Sequence, residues 1–521
     1  MHEVELTLAM LVAVTVLATV ARLLRVPMPI LMVLAGLALA ASPAVPDVVL
    51  APELVFLLFL PPLLYIAAFD TAIRDVRAML VPIVSLAVGL VLATAATVAT
   101  VVHLVLPDIG WPAAFALGAI VSPPDAVAAV AVLRRLNVPR RLVTLLEGES
   151  LFNDATALVI FQMAVAAMGT ASFSMTDAAI RFVLVAVGGI AIGIGIGAII
   201  ALLRRRLTDM PVEIMISLLT PFAAYLPAEQ VGVSGVLSTV AAGLCLGWWA
   251  PRIMDPNVRL RVRAVWEIVV FVLNGLVFLL IGLQLSTILP SLANRSPLTV
   301  FGLGLLVSAV VIAVRFAWIA TVLCARPKPG GRRQRWTEAT LVGWAGMRGV
   351  VSLATALALP FETPARDLLL FATFCVILVT LVGQGLTVPW LVKALGLVDD
   401  GSGTEQELHA RSVALDAACR RIAQLAEEWP THLPLVETLK AQYGHRASHL
   451  EELRSDAVDE DGHPLSQAAE QELLEHGQIR RAVIDAERQA VLELRQLGEI
   501  GDEAWRRVER DLDLEELRLE A

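Results

Sequence analysis

Cysteine is scarce in this chain, with four residues among 521: Cys245, Cys324, Cys375 and Cys419. None of them has a neighbour at the short spacing of a zinc site, and three are isolated within apolar segments. The sequence therefore predicts neither a disulfide framework nor a structural zinc site, and we expect no resident cofactor.

Charged residues are also few. They make up 17% of the chain, whereas hydrophobic residues make up 57% and the mean hydropathy is +0.74. Apolar runs of about 18 residues or more, long enough to cross a bilayer as helices, recur through residues 1–398. Residues 399–521 contain no such run and are strongly acidic, so the net charge of −9 arises in this part of the chain. We infer a membrane domain followed by a soluble helical tail, and no nucleic-acid partner.

Two further absences narrow the class of protein. The first apolar segment follows Met-His-Glu-Val-Glu without a basic n-region, which indicates a retained helix rather than a signal peptide. No histidine lies at a central position of any predicted span. An intramembrane hydrolase, which needs a nucleophile–base pair or a metal motif, is therefore disfavoured.

Hydropathy and turn signals predict an all-α polytopic membrane protein with about thirteen spans. Their approximate bounds are 5–24, 28–44, 51–69, 79–106, 112–135, 141–168, 177–203, 211–226, 231–249, 264–289, 298–324, 337–359 and 366–396. One set of alternating loops holds twenty arginines and lysines, whereas the other holds Arg295, Arg366 and, if the seventh span starts late, Arg181. By the positive-inside rule, the N-terminus lies outside the cell membrane and the tail is cytoplasmic.

Thirteen spans divide into six, one linker helix and six, so that the two halves form an inverted repeat. The fifth span of each half carries helix breakers, Gly118-Ala-Ile-Val-Ser-Pro-Pro-Asp125 in span five and Gly343-Trp-Ala-Gly-Met-Arg-Gly349 in span twelve. Adjacent prolines cannot donate backbone hydrogen bonds, so we expect residues 122–125 to be unwound, and the glycines permit the same in span twelve. Interrupted helices at corresponding positions indicate a substrate site near the midplane.

The principal candidate for chemistry is a polar stretch in the first half of span six. Glu147–Asp154 reads Glu-Gly-Glu-Ser-Leu-Phe-Asn-Asp and precedes an apolar run. At about 100° per residue, its polar side chains share one helix face; they are Glu149, Ser150, Asn153 and Asp154. An acid near the bilayer centre is costly unless it is paired or functional, which singles out Asp154.

Asp154, Asp125 and Arg348 lie near the middle of three different spans and are predicted to share one site. A buried carboxylate can hold a proton or a small hard cation, and carboxylate, hydroxyl, amide and backbone oxygens suit such a cation. Competition for one carboxylate would couple cation and proton movement in opposite directions. Ser150 and Asn153 are further candidate ligands, although Asn153 could instead orient Asp154, and Asp125 could instead cap a broken helix end.

Other residues receive structural interpretations. Glu149 and Arg348, of opposite charge near the midplane, are predicted to form an ion pair that ties span six to span twelve. Arg315 in span eleven is expected either to snorkel towards the interface or to pair with an acid. A glycine at every fourth position from Gly189 to Gly197 predicts close helix packing, with a dimer contact as the alternative.

Three motifs together resemble the signatures of the sodium/proton exchangers of the cation:proton antiporter-1 family in its bacterial form. They are Ser-Pro-Pro-Asp-Ala-Val-Ala at 122–128, the stretch at 147–154, and Gly-Met-Arg-Gly-Val-Val-Ser-Leu-Ala at 346–354. The resemblance covers roughly residues 5–396. It implies a homodimer in which a mobile core bundle moves against a scaffold bundle, with spans five and twelve crossing.

The resemblance assigns the membrane domain, residues 1–398, to two bundles. The scaffold would comprise spans at about 5–69 and 177–289, and the core would comprise spans at about 79–168 and 298–396.

The resemblance also implies roles for site residues. Asp154 would be the cation- and proton-binding carboxylate, with Asp125, Ser150 and Asn153 nearby and Glu149 paired to Arg348. In this family, Asn rather than a second Asp at the position of Asn153 goes with electroneutral exchange.

One position departs from the family pattern. Many relatives have Thr immediately before the aspartate of span five, whereas this chain has Pro124. Ser122 would have to supply the missing hydroxyl ligand.

The sequence thus predicts a secondary antiporter that exchanges Na⁺ or Li⁺ for H⁺ across the cytoplasmic membrane by alternating access, with Asp154 and Asp125 as ligands of the transported ion. The nearest alternative changes the ion to K⁺. A cation sensor that signals through residues 399–521 without transport is disfavoured, because a sensor needs no proton-competent carboxylate. For the tail itself we expect a solvated helical bundle or dimerisation element, with a regulatory sensor as the alternative.

Overall fold

The structure, a computed structural model, describes residues 2–24, 26–41, 55–133, 136, 138–169, 175–207, 209–292, 295–324, 331–397, 402–454, 465–497 and short segments between 504 and 516. Every regular element within these ranges is a helix. The predicted all-α class is therefore confirmed for the part of the chain that the structure describes. Residues 42–44, which close the predicted second span, lie outside it.

The helices up to the middle of the chain are α1 (His2–Leu24), α2 (Met28–Ala40), α3 (Leu60–Asp70), α4 (Ile73–Ala78), α5 (Leu80–Val84), α6 (Val91–Val105), α7 (Gly110–Val121), α8 (Ala126–Leu133), α9 (Arg140–Gly169) and α10 (Met175–Arg204). They are followed by α11 (Met210–Val231), α12 (Gly235–Ile253), α13 (Pro256–Leu283), α14 (Leu285–Ile288), α15 (Pro297–Cys324), α16 (Gly331–Trp344), α17 (Val350–Leu357), α18 (Arg366–Leu378), α19 (Gly385–Leu395), α20 (Ser402–Glu428), α21 (Leu433–Arg454) and α22 (Leu465–Gln496). Wider π-helical turns precede α3, α6 and α19, at Val55–Phe59, Ser85–Leu90 and Val379–Gln384.

The chain divides into two compact units, Met1–Asp399 and Asp400–Ala521. In the described part of the first unit, nine helical segments are long and apolar enough to cross a membrane, and three shorter apolar helices accompany them. Long apolar helices that satisfy their own backbone hydrogen bonds are what a bilayer requires of a spanning segment. The chain is therefore a multi-pass helical membrane protein.

Both predicted helix interruptions are present. α7 ends at Val121 and α8 begins at Ala126, so the intervening residues with their two prolines are not helical. α16 ends at Trp344 and α17 begins at Val350. The two breaks are the irregular backbone around which the candidate site is built.

The glycine repeat of α10 packs this helix against α12 within the same chain. A Cβ atom on Gly189 or Gly193 would collide with the carbonyl oxygen of Ser234 or Ser238. Small residues allow two helix backbones to approach this closely. The close-packing interpretation of the repeat is confirmed.

The long helices described in the second unit are α20, α21 and α22, and α21 packs against both other helices. Its buried apolar side chains are few; among the described residues they are Ile422, Val436, Leu450, Ile484 and Leu512. Arg488 donates hydrogen bonds to Asp513 at 2.8 Å and to Glu516 at 2.9 Å. Exposed ion pairs of this kind add little stability, so the small apolar core is the main stabilising feature of the unit.

Candidate ion-binding site

The two helix breaks contact each other through their backbones. The N–H group of Asp125 donates a hydrogen bond to the carbonyl oxygen of Met347 at 2.7 Å. In an uninterrupted helix this N–H would bond to the carbonyl of Val121, four residues earlier. The contact joins the break after α7 to the break after α16, and it leaves the last carbonyls of α7 without their helical donors.

Arg348 supplies donors to these carbonyl groups. Its Nε atom donates to the carbonyl of Val121 at 3.1 Å, and Nη2 donates to that of Ser122 at 3.4 Å. Nη1 donates to the carbonyl of Gly346 in its own break. The side chain is only 1% exposed, so it closes the broken end of α7 from within the protein.

The prediction that Glu149 pairs with Arg348 is wrong, because the partner of Glu149 is Arg315. Arg315 Nη1 and Nη2 donate to the two carboxylate oxygens of Glu149 at 2.6 and 2.9 Å, and both side chains are 1% exposed. Arg315 Nε donates to the carbonyl of Val342 at 3.2 Å. The physical reason is that the broken end of α7 occupies the donors of Arg348, whereas the planar guanidinium of Arg315 meets the carboxylate in a two-pronged geometry. Of the two interpretations of Arg315, pairing with an acid is confirmed.

Two glycines of the second break make room for charged side chains. A Cβ atom on Gly346 would come within 3.0 Å of Cζ of Arg315, and one on Gly349 would come within 2.8 Å of Cγ of Asp125. The glycines of this break therefore admit Arg315 and Asp125 as well as permitting the helix to unwind.

Asp125 caps the N-terminus of α8. Its Oδ1 accepts a hydrogen bond from the N–H of Val127 at 2.8 Å, and the N–H groups of Ala128 and Val350 also face the carboxylate. Two helix N-termini, those of α8 and α17, thus point at one carboxylate, and both favour negative charge there. The capping interpretation of Asp125 is confirmed, and it is compatible with a role in binding a cation.

Asn153 ties α9 to the first break. Its Nδ2 donates a hydrogen bond to the carbonyl of Pro124 at 2.9 Å. Its Oδ1 is buried and has no hydrogen-bond partner among the described residues. No hydrogen bond to Asp154 is present in that part of the chain, so Asn153 holds the break and leaves one oxygen available as a ligand.

The Asp154 carboxylate has no partner in the part of the chain that the structure describes. The residue is 6% exposed, and within the described ranges no hydrogen bond or ion pair joins its carboxylate to another residue. Asp125 lies near enough for the two carboxylates to repel each other. A buried charge in this position is unstable unless a proton or a cation compensates it.

The two candidate serines differ in environment. Ser122 is fully buried in the first break and donates its hydroxyl proton to the carbonyl of Ala119 at 2.9 Å, which leaves its oxygen lone pairs free to accept or ligate. Ser150 is partly buried and lies one helical turn before Asp154 on α9. The helical spacing gives Ser150 the same face as Asp154.

Sequence reasoning missed one residue of the site. Thr380 Oγ1 accepts a hydrogen bond from the backbone N–H of Arg348 at 3.0 Å and so holds the second break from a third helical segment. A buried threonine in a long apolar helix gives little signal in a sequence.

Two interrupted helices that meet beside a buried, uncompensated acid define a class: a multi-pass helical membrane transporter with an acidic site at the breaks. Residues 9–394 match the family described as "Sodium/hydrogen exchanger, transmembrane". The chain belongs to the sodium/hydrogen exchanger family, and within it to the bacterial monovalent cation:proton antiporters.

Curated relatives match over most of the chain. An uncharacterised Na⁺/H⁺ exchanger of Mycobacterium tuberculosis is 36% identical, and the match covers 98% of this chain and 95% of the relative. A sodium, potassium, lithium and rubidium/H⁺ antiporter of Bacillus pumilus is also 36% identical, over 74% of this chain and 61% of the relative.

A solved structure shows the same fold. The sodium proton antiporter MjNhaP1 from Methanocaldococcus jannaschii superposes with a TM-score of 0.62 at 20% identity. The match covers 75% of this chain and 98% of that chain.

Proposed function

We propose that this protein exchanges Na⁺, or Li⁺, for H⁺ at a single buried carboxylate, that of Asp154. The observation that carries the proposal is the environment of this acid: it is buried, it has no partner among the described residues, and a second carboxylate, that of Asp125, lies near enough to repel its charge. A proton and a small cation would each compensate its charge, and they could not do so together. Binding one therefore releases the other.

The charge balance supports one-for-one exchange. Glu149 is neutralised by Arg315, so the charges that remain at the breaks are those of Arg348, Asp125 and Asp154. Their formal sum is −1, which one monovalent cation or one proton brings to zero. Electroneutral exchange is the corresponding proposal.

The proposed ligands of the transported ion come from both sides of the first break. Asp154 and Asp125 supply carboxylate oxygens, Asn153 Oδ1 is unpartnered within the described residues, and Ser150 and Ser122 supply hydroxyl oxygens. Oxygen ligands of this kind suit a hard monovalent cation.

We propose thirteen spans arranged as an inverted repeat, with a core at about 79–168 and 298–396 that moves against a scaffold at about 5–69 and 177–289 to give alternating access. Support comes from the described residues: nine long apolar segments and three shorter apolar helices, with the interrupted pair α16–α17 counted as one more span, make thirteen. Residues 399–521 are proposed to form the cytoplasmic tail.

The proposed location is the cytoplasmic membrane, with the N-terminus outside and the protein assembled as a homodimer. The arginine and lysine bias of alternate loops supports this orientation.

Potassium is a second candidate ion. The Bacillus pumilus relative is named for exchange of sodium, potassium, lithium and rubidium, and it is 36% identical to this chain. Ion preference is therefore part of the test.

The test measures proton efflux from acid-loaded proteoliposomes on addition of Na⁺, Li⁺ or K⁺. We expect cation-dependent efflux from the wild type and from Asp70→Asn, a matched change of an acid 49% exposed outside the site, and none from Asp154→Asn. Efflux that does not respond to a valinomycin-imposed membrane potential would support one-for-one exchange. Equal efflux by Asp154→Asn, or no response of folded wild type to any cation, would overturn the proposal.

A further inference from the structure

A second cavity lies away from the ion site, at the connection between α3 and α5. Its volume is about 440 Å³. The connecting segment with α4 forms one wall, and the end of α12 forms the other. The polar and aromatic groups that line it are Thr71, Arg74, Asp75, Trp248 and Arg252.

The cavity carries uncompensated positive charge. Arg74 and Arg252 both line it, and neither makes an ion pair with any residue in the described part of the chain. Asp75 lines the same cavity but lies beyond ion-pair distance of both guanidinium groups, so the formal charge of the lining is +1. Two unpaired arginines that face one cavity form a site for an anion with several acceptor oxygens.

An exposed tryptophan forms part of the same wall. The guanidinium carbon of Arg74 lies 5.9 Å from the centre of the Trp248 ring, within the range of a cation–π contact. Trp248 is 47% exposed, at the end of an apolar membrane helix. Tryptophan concentrates where hydrocarbon meets lipid headgroups, which places the cavity at headgroup depth.

We propose that this cavity binds the phosphate group of an anionic ligand, either the headgroup of a membrane phospholipid or a free phosphate ester. Arg74 and Arg252 would hold the phosphate oxygens, and Trp248 would keep the Arg74 side chain in position. Basic pockets at the ends of membrane helices on the side rich in Arg and Lys are suited to anionic headgroups. The inference does not depend on ion exchange, because binding alone tests it.

The experiment uses full-length protein in bilayer nanodiscs of phosphatidylcholine with or without phosphatidylglycerol. Native mass spectrometry counts the lipids that stay bound after the protein is released from the nanodisc. We expect wild type to retain phosphatidylglycerol in preference to phosphatidylcholine. In Arg74→Gln/Arg252→Gln the affinity should fall about 30-fold, since each basic residue near the membrane surface contributes about fivefold. The matched control, Arg205→Gln/Arg206→Gln, removes two exposed positive charges that directly follow α10 and should retain phosphatidylglycerol like the wild type.

Four outcomes distinguish the two phosphate sources or overturn the proposal. Displacement of phosphatidylglycerol by millimolar glycerol 3-phosphate would support a free phosphate ester, and retention despite it would support the lipid. Equal retention by wild type and Arg74→Gln/Arg252→Gln, or equal losses in that variant and in the control, would overturn the proposal. The single variant Arg252→Gln, judged folded by its elution from a sizing column, repeats the measurement if the double variant does not fold.

Discussion

Removing one partner of the Glu149–Arg315 pair should destabilise the protein strongly, because each charge is buried and held by the other. Both side chains are 1% exposed, and two hydrogen bonds of 2.6 and 2.9 Å join them. Breaking a buried pair by removing one partner costs about 3–5 kcal/mol. Arg315→Gln also removes the hydrogen bond to the carbonyl of Val342, worth about 1 kcal/mol, so this variant should be the less stable of the two.

The assay is a double-mutant cycle on unfolding of the detergent-solubilised protein by added dodecyl sulfate. The variants are Glu149→Gln, Arg315→Gln and the combination of both. Once one charge is gone, losing the other relieves the buried charge, so the double variant should be more stable than the sum of the single changes predicts. We expect a coupling energy of about 3 kcal/mol, at the upper end of values measured between contacting residues.

The control is a second double-mutant cycle, which combines Glu149→Gln with Arg348→Gln. Because Arg348 donates to three carbonyl groups of the breaks, Arg348→Gln should itself destabilise the protein, but its coupling to Glu149 should stay below about 1 kcal/mol. A coupling of Glu149 to Arg348 as large as that to Arg315 would refute the pairing argued from the structure.

Two further predictions concern transport in proteoliposomes. In Gly349→Ala the new Cβ atom would lie 2.8 Å from Cγ of Asp125, and the overpacking of about 1–3 kcal/mol should raise the apparent KM for Na⁺ at least about fivefold. The control is Gly383→Ala, where no atom outside its own helical turn lies within 4 Å of the added Cβ. Equal KM values in the two variants would contradict the expectation. Because Na⁺ and H⁺ are proposed to compete for Asp154, the apparent KM for Na⁺ should rise as the pH falls while the rate at saturating Na⁺ changes little, and a KM independent of pH between about 6 and 8 would argue against competition at one carboxylate.

Local backbone features of the site could be predicted from the sequence. Pro123 and Pro124 cannot donate hydrogen bonds, so the break between α7 and α8 follows from residue chemistry alone. The polar face of α9 follows from the helical repeat, and burial of Asp154 follows from the apolar residues around it. Each of these predictions needs only one helix.

The partner of Glu149 could not be chosen in the same way. Hydropathy gives the depth of Arg315 and Arg348 in the membrane, but it does not give the direction in which each side chain points. The choice depends on a contact between two segments that are distant in the sequence. The Asp125 N–H donates to the carbonyl of Met347, which leaves the Val121 carbonyl free to accept a hydrogen bond from Arg348. The sequence did contain one indication of the pairing, because Gly346 lies where the Arg315 side chain packs. A glycine alone does not show which side chain packs against it.

The separate roles of the two arginines are compatible with the proposed exchange of ligands at Asp154. If Arg348 formed an ion pair with Asp154, an incoming cation would have to displace a buried charge and leave it unpaired, at a cost of several kcal/mol. In the structure, backbone carbonyls occupy Arg348 and Glu149 occupies Arg315, so neither guanidinium needs to move when the site is filled. Fixed charges therefore hold the two breaks together, while in the proposed mechanism the transported ions compensate the charge of Asp154.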